Sequence, residues 1–135
     1  MTSTSTAYTE TYIPGPQNTL FYTRLYPSPS TKALIIGIHG FNDHIDRFTH
    51  VHTPLARAGL AVFAFDQRGF GQTVQKAENG AGRKYAWTSW REQMEDLEWA
   101  VAEGRKACAG VPVFLYGHSM VRCLFPPFVV PANSF

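Results

Sequence analysis

Three short stretches of the chain are apolar at almost every position, and they lie at residues 33–38, 60–65 and 111–116. Uninterrupted apolar runs of this length are typical of strands whose two faces are both covered, as in a mostly parallel sheet. Polar segments with turn residues follow each run. The pattern therefore predicts three buried strands, each ending abruptly in a loop.

The N-terminal part of the chain has a different pattern. Residues 7–13 and 19–26 are rich in β-branched and aromatic side chains, and the turn-forming segment Pro14 to Asn18 separates them. Such runs divided by proline, glycine and asparagine predict a hairpin of two strands.

Two helices are predicted between the buried strands. In the first, apolar residues recur every three or four positions up to Gly59, which is placed to end the helix: Ile45, Phe48, Val51 or His52, Leu55 and Ala58. The second begins at Ser89, which forms the S-x-x-E capping pattern with Glu92. Its predicted buried stripe is Trp90, Met94, Leu97, Val101 and Gly104. Residues 72–88 are expected to form a polar loop, with Tyr85 and Trp87 holding its end.

Strands that alternate with helices, without a repeat or a long linker, predict one α/β domain with right-handed crossovers. In such sheets, functional residues gather at the carboxyl ends of the strands. Three distinctive motifs occupy those ends: His39–Phe41, Asp66–Gly71 and Gly117–Met120. We therefore expect one site at this edge of the sheet.

Composition excludes several classes of protein. Of 135 residues, 44% are hydrophobic, and the formal charge is +2, so a disordered chain or a nucleic-acid-binding or anionic-membrane-binding protein is not indicated. Cys108 and Cys123 are interpreted as ordinary thiols, although a disulfide stays open. Neither a leader peptide nor an apolar run long enough to cross a bilayer is recognised, which predicts a soluble, cytoplasmic protein.

The motif Gly117-His118-Ser119 follows the third buried strand. A sharp turn after a strand exposes a serine hydroxyl and directs the next backbone N–H, here that of Met120, toward the same space. Because a free serine is a weak nucleophile, it needs a nearby base and a site for the oxyanion. The alternative is a serine in an ordinary turn between strand and helix.

The His39-Gly40 pair is either a simple turn or an oxyanion-hole loop. In the second interpretation, Gly40 lets the N–H of Phe41 approach the developing charge, and His39 shapes the loop without acting as the base. The His118 side chain is expected to point away from Ser119. The remaining histidines have no metal-binding spacing and are interpreted as solvent-facing or capping residues: His44, His50 and His52.

The segment Asp66–Gly71 has two glycines in its last three positions. A phosphate cradle is one interpretation, but neither common phosphate-binding spacing is present. The structural interpretation is favoured, in which Asp66 caps backbone amides and Arg68 bridges loops.

Taken in order, Ile-His-Gly-Phe, Phe-Asp-Gln-Arg-Gly-Phe-Gly and Tyr-Gly-His-Ser-Met resemble the α/β-hydrolase superfamily, and in particular its monoacylglycerol-lipase-like group, also described as the serine aminopeptidase S33 domain. The resemblance covers about residues 7–120. It implies the N-terminal part of an α/β-hydrolase sheet, Ser119 as nucleophile, and the amides of Phe41 and Met120 as the oxyanion hole, with Gly117 shaping the elbow. It also implies carboxylic ester substrates such as monoacylglycerols, no cofactor or metal, and peripheral membrane contact in full-length members.

The chain departs from the family after Met120. Val121 replaces the expected glycine, and three prolines oppose the helix that should follow: Pro126, Pro127 and Pro131. We therefore expect an α/β-hydrolase portion at residues 1–120 and an unrelated tail at residues 121–135.

By family order, the acid and the histidine of the triad come after the serine, beyond residue 135. The resulting expectation is a serine hydrolase truncated by an intron, a frameshift or splicing, and inactive as a single chain. The strand at 111–116 would also lack its next neighbour, which leaves an aggregation-prone edge. The alternative is a purposeful non-catalytic module that binds a ligand or dimerises.

Overall fold

The protein contains one mixed sheet of five strands, seen in a computed structural model that describes residues 7–119. The strands are β1 (Thr9–Pro14), β2 (Leu20–Tyr26), β3 (Ala33–Ile38), β4 (Leu60–Phe65) and β5 (Val113–Gly117). Their order across the sheet is β1-β2-β4-β3-β5. The β1–β2 and β2–β4 pairs are antiparallel, whereas β3 runs parallel to both β4 and β5. The predicted hairpin and the predicted parallel strands are both confirmed.

Each face of the sheet is covered by a helix. On one face, α3 (Trp90–Ala107) packs with β-strand side chains in a core of Phe21, Leu34, Ile36, Phe63, Phe65, Leu97, Ala100 and Val101. On the other, α1 (Thr49–Arg57) contributes to a core of Tyr22, Tyr26, Ile45, Ala56, Val62 and Ala64. Coverage on both faces explains why β3 and β4 have no polar positions in sequence.

The start of α3 matches the capping pattern. The Ser89 hydroxyl accepts a hydrogen bond from the N–H of Glu92 at 3.2 Å, and the Glu92 carboxylate accepts one from the N–H of Ser89 at 3.0 Å. The predicted stripe is buried at Leu97, Val101 and Gly104, but Trp90 is 58% exposed. Burial in this helix begins at Asp96, and residues 90–95 before it are half-buried or exposed.

The expectation of an irregular loop at residues 72–88 was wrong at its beginning. A short helix, α2 (Gly71–Gln75), and a 3-10 turn at Ala77–Asn79 lie there. The Asp66 carboxylate accepts from the N–H of Gln72 at 2.8 Å, and the Thr73 hydroxyl donates to the Asp66 carbonyl at 2.6 Å. Both contacts are made by Asp66, which precedes the segment, and no apolar periodicity within residues 72–88 predicts the helix.

The surface interpretation of His52 was also wrong, because its side chain is only 2% exposed. The ring lies against Tyr26 and Phe48, with centroid distances of 5.2 and 6.0 Å. Gly37 leaves room for it, since a Cβ on that residue would lie 3.0 Å from His52 Nε2. Burial, and then the charge of Arg24, lower the pKa of His52 from 6.5 to about 4.

Other sequence expectations concern the ends of the chain. Within residues 7–119, β5 pairs with β3 and forms one edge of the sheet. In the same part of the chain, no helix has the length and apolarity needed to cross a membrane. Cys108 is a free, half-buried thiol. The predictions for Met120, Cys123 and the proline-containing tail lie outside the described residues.

Candidate functional site

Three loops meet at one edge of the sheet. The strands β4, β3 and β5 are neighbours in that order and run parallel, so their carboxyl ends lie side by side. The segments that follow them are Asp66–Gly71, His39–Phe41 and Gly117–Ser119. The three sequence motifs therefore lie side by side at the carboxyl ends of the parallel strands.

Ser119 lies two residues beyond the end of β5, on the solvent-exposed side of a sharp turn. Its backbone has φ +57°, in the left-handed region that few non-glycine residues adopt. The turn is joined to the neighbouring strand, because the N–H of His118 donates to the Ile38 carbonyl at 3.2 Å. The serine is therefore fixed beside the end of β3.

Gly40 is the residue that lets the two loops approach. A Cβ added to Gly40 would lie 2.9 Å from Ser119 Cβ and 3.1 Å from the His118 carbonyl oxygen. These distances are too short for any larger residue without movement of the turn. Gly40 and Ser119 are consequently in direct contact across the gap between the β3 and β5 ends.

His39 is buried, and both of its ring nitrogens make hydrogen bonds. Nε2 accepts from the N–H of Gln67 at 2.8 Å, so it carries no proton. Nδ1 lies 2.7 Å from the Gly40 carbonyl oxygen and donates to it. Burial also lowers the pKa of His39. The ring is therefore neutral and holds the loop that contains Gly40.

Gln67 is a contributor that sequence reasoning missed. Besides its N–H, its side-chain amide donates to the His39 carbonyl. It is 5% exposed, although it stands in a polar motif. The only signal in the sequence is its place directly after Asp66, where a loop leaves a buried strand.

Asp66 joins the loops that follow β3 and β4. One carboxylate oxygen accepts from the N–H of Ile45 and the other from the N–H of Gln72, both at 2.8 Å. Burial raises the pKa of this carboxyl group. The predicted capping role of Asp66 is confirmed.

Arg68 extends the same network toward α3 and the first hairpin turn. Its guanidinium donates twice to the Asp96 carboxylate, at 2.8 and 3.0 Å, and also to the Pro16 carbonyl and the Gln17 side chain. The predicted bridging of loops is confirmed. Two of its guanidinium nitrogens, Nε and Nη2, are thus engaged within the protein.

The remaining predicted site residues lie around Ser119. Phe41 is 59% exposed, and its ring packs edge-on against Phe70 at 5.4 Å. Gly117 is the exposed last residue of β5, and Met120 lies outside the described residues. The His118 ring packs against Phe48 at 5.6 Å. Among residues 7–119, neither an imidazole nor a carboxylate hydrogen-bonds to the Ser119 hydroxyl.

Comparison with known proteins gives the family. A profile of the family described as serine aminopeptidase, S33, matches residues 29–120. The monoglyceride lipase of Rattus norvegicus is 35% identical over 94 residues, which cover 70% of this chain and 29% of that protein. The monoacylglycerol lipase of Mycolicibacterium smegmatis is 28% identical over 94 residues, covering 70% of this chain and 31% of its own.

Solved structures give the same answer for the fold. A soluble variant of monoglyceride lipase from Saccharomyces cerevisiae, in complex with a substrate analogue, matches with a TM-score of 0.74 and 28% identity over 87% of this chain and 37% of that one. A carboxyl esterase from Bacillus coagulans matches at 0.72 with 22% identity, over 86% and 37% of the two chains. The chain thus spans well under half the length of these relatives. It belongs to the serine aminopeptidase S33 family, and its sheet is the N-terminal part of a monoglyceride-lipase-like α/β-hydrolase fold.

Proposed function

We propose that this chain carries the nucleophile and oxyanion-hole half of a carboxylic ester hydrolase, with Ser119 as the nucleophile. The observation that carries the proposal is the position of Ser119, at φ +57° on a turn in contact with Gly40. A serine held in this conformation after a buried strand presents its hydroxyl to solvent, as a nucleophile elbow requires.

The proposed oxyanion hole consists of two backbone amides, those of Phe41 and Met120. Phe41 follows Gly40 in a loop that His39 and Gln67 hold in place through the hydrogen bonds described above. The Phe41 N–H and that of Met120 are proposed to stabilise the negative charge of the tetrahedral intermediate. A preorganised pair of donors of this kind contributes about 3–4 kcal/mol per donor to the reaction.

Monoacylglycerols are the proposed substrate class. Relatives from mammals, yeast and bacteria are named as lipases of these esters. The exposed Phe41 ring beside the Ser119 turn favours an uncharged ester over an ionic substrate.

We further propose that the 135-residue polypeptide alone turns esters over very slowly. No imidazole among residues 7–119 hydrogen-bonds to the Ser119 hydroxyl, so proton transfer from that hydroxyl has no assigned acceptor there. Loss of the triad costs about 10⁶-fold in kcat in a serine protease, while the oxyanion hole and binding retain about 10³- to 10⁴-fold over the uncatalysed reaction. Slow acylation should therefore persist.

A fluorophosphonate probe tests this function. We expect slow labelling of the purified chain at Ser119, no labelling of Ser119→Ala, and unchanged labelling of Ser30→Ala, which removes an exposed serine elsewhere. Equal signals from the wild type and Ser119→Ala would overturn the assignment. If that result came with a monodisperse protein that binds a lipid ester without turnover, the non-catalytic binding module would replace it.

A further inference from the structure

The loop after β3 has an uncommon backbone conformation one residue beyond Phe41. Asn42 has φ +54°, in the left-handed region that asparagine tolerates better than most residues with a Cβ. The hydrogen bonds of the His39 ring hold the loop before Phe41, and Asp66 binds the N–H of Ile45 after it. The position of the Phe41 N–H therefore depends also on what holds Asn42, between these two supports.

Tyr85 contacts this part of the loop from another segment of the chain. Its hydroxyl donates a hydrogen bond to Asn42 Oδ1. Its ring packs edge-on against Phe70 at a centroid distance of 6.0 Å, and the Phe41 ring packs against the same Phe70 at 5.4 Å. Because Phe70 is only 1% exposed, Tyr85 and Phe41 share a buried support. The hydrogen bond then joins Tyr85 to the residue that follows Phe41.

The segment that contains Tyr85 packs against the loop after β4. The N–H of Ala86 donates to the Gly69 carbonyl at 2.8 Å. A Cβ added to Gly69 would lie 3.1 Å from the Trp87 nitrogen and 3.2 Å from the Ala86 nitrogen, so the close approach depends on glycine. The predicted anchoring of this end of the 72–88 loop is therefore confirmed for Tyr85. The Trp87 side chain, by contrast, is 73% exposed and makes no hydrogen bond or ring contact within residues 7–119.

The hydrogen bond between Tyr85 and Asn42 is expected to act locally. Both side chains are exposed, so replacing the bond with bonds to water changes the free energy of unfolding little. Loops with few buried contacts open independently of the rest of a fold. Loss of the Tyr85 hydroxyl should therefore increase the motion of residues 41 and 42 without destabilising the sheet.

We propose that Tyr85 is a positioning residue for the oxyanion hole. Its hydroxyl acts through Asn42 to hold the Phe41 N–H in the orientation that the tetrahedral intermediate requires, and it takes no part in proton transfer. A donor fixed before the reaction stabilises the developing charge better than one that must first be ordered. The effect on reactivity rests on the proposed function, whereas the effect on the conformation of the loop does not.

NMR order parameters of the backbone amides test the conformational part without any reaction. Tyr85→Phe removes the hydroxyl and keeps the ring on Phe70. In the full chain, it should lower the order parameters of the Phe41 and Asn42 amides from about 0.85 toward about 0.6, and leave that of Ile36 in β3 unchanged. Tyr12→Phe is the matched control and should change none of them. Within the described residues, the Tyr12 hydroxyl makes no hydrogen bond, and β1 lies at the opposite edge of the sheet from β5.

Fluorophosphonate labelling of Ser119 tests the effect on reactivity. Tyr85→Phe should slow labelling by about three- to tenfold at an unchanged urea midpoint, and Tyr12→Phe should label like the wild type. Asn42→Gly keeps the left-handed backbone but removes the acceptor of the hydrogen bond. In that background Tyr85→Phe should slow labelling no further, because the two residues act through one interaction.

The proposal is overturned if Tyr85→Phe leaves the Phe41 and Asn42 amides as ordered as in the wild type, or if it slows labelling equally with and without Asn42. A lowered urea midpoint with increased motion throughout β3 would assign Tyr85 a merely structural role. If the wild type is not labelled at Ser119, the proposed hydrolase function fails, and the order parameters still decide whether Tyr85 holds the loop. Normal labelling of the wild type with unchanged order parameters in Tyr85→Phe rejects the positioning role alone.

Discussion

Gln67 donates two hydrogen bonds to His39, from its backbone N–H to the ring and from its side-chain amide to the carbonyl. This relationship joins the ends of β3 and β4 and determines the protonation of the histidine. Because Nε2 is an acceptor and Nδ1 donates to Gly40, neither nitrogen is available to receive a proton from a serine. A histidine next to a candidate active site is here a support for the loop and is excluded as the base.

Replacing His39 with leucine should destabilise the fold. The substitution leaves the buried N–H of Gln67 without an acceptor, which costs about 1–3 kcal/mol in the free energy of unfolding. Urea unfolding measures the change. His50→Leu is the matched control, since His50 is exposed and should change the midpoint little. Equal effects of the two substitutions would contradict the role given to His39.

Gly40→Ala should reduce fluorophosphonate labelling of Ser119 by at least about tenfold. The new methyl group would lie 2.9 Å from Ser119 Cβ, so the turn or the loop must move, and overpacking of this kind costs about 1–3 kcal/mol. Gly110→Ala is the control, because it strains a residue at φ +80° with no atom within 4 Å of the added Cβ. It should lower stability without changing the labelling rate, and reduced labelling in both variants would remove the support for direct contact.

Removing only one partner of the Arg68–Asp96 ion pair should strongly lower the free energy of unfolding. The two side chains are 13% and 4% exposed, so Asp96→Ala leaves a mostly buried guanidinium without its partner and should cost about 3–5 kcal/mol. The double variant Arg68→Met/Asp96→Leu should recover part of that loss, as measured by urea unfolding. Breaking the exposed Arg91–Glu95 pair should cost less than about 1 kcal/mol. A double variant no more stable than the single would contradict this account.

Acid should destabilise the protein through His52. The unfolded chain takes up a proton at this residue near its ordinary pKa of 6.5, whereas the folded chain does so only near pKa 4. Stability is therefore full above pH 6.5 and falls as the pH is lowered toward 4, by about 3 kcal/mol from this group. In His52→Gln this part of the pH dependence should be absent, whereas His50→Gln should retain it. Parallel pH profiles of His52→Gln and the wild type would refute the assignment.

The elements that sequence predicted well are those whose own residues determine their burial. Residues 33–38 and 60–65 are apolar throughout because both faces of the sheet are covered, and Ser89 and Glu92 cap α3 through contacts between residues three positions apart. The short helix α2 was missed because Asp66 holds it from outside the segment. His52 was misjudged because the space it fills is created by Gly37, on another element.

The same division applies to the candidate site. Because parallel strands place their carboxyl ends together, the sequence predicted that the three motifs would lie at one edge of the sheet. The role of Gln67 and the exposure of Trp87 and Trp90 depend on how separate segments pack.

The left-handed backbone conformation of Ser119 lowers the stability of the fold at the same residue that is proposed as the nucleophile. A residue with a Cβ in that conformation costs about 1–2 kcal/mol relative to glycine, and the entropy that glycine loses on folding offsets part of the difference. Ser119→Gly should therefore unfold at the same or a slightly higher urea concentration than the wild type, with labelling abolished; a clearly lower midpoint would show that the turn is unstrained. If random variants are selected for urea resistance alone, substitutions of Ser119 should therefore appear before substitutions in β3 or β4.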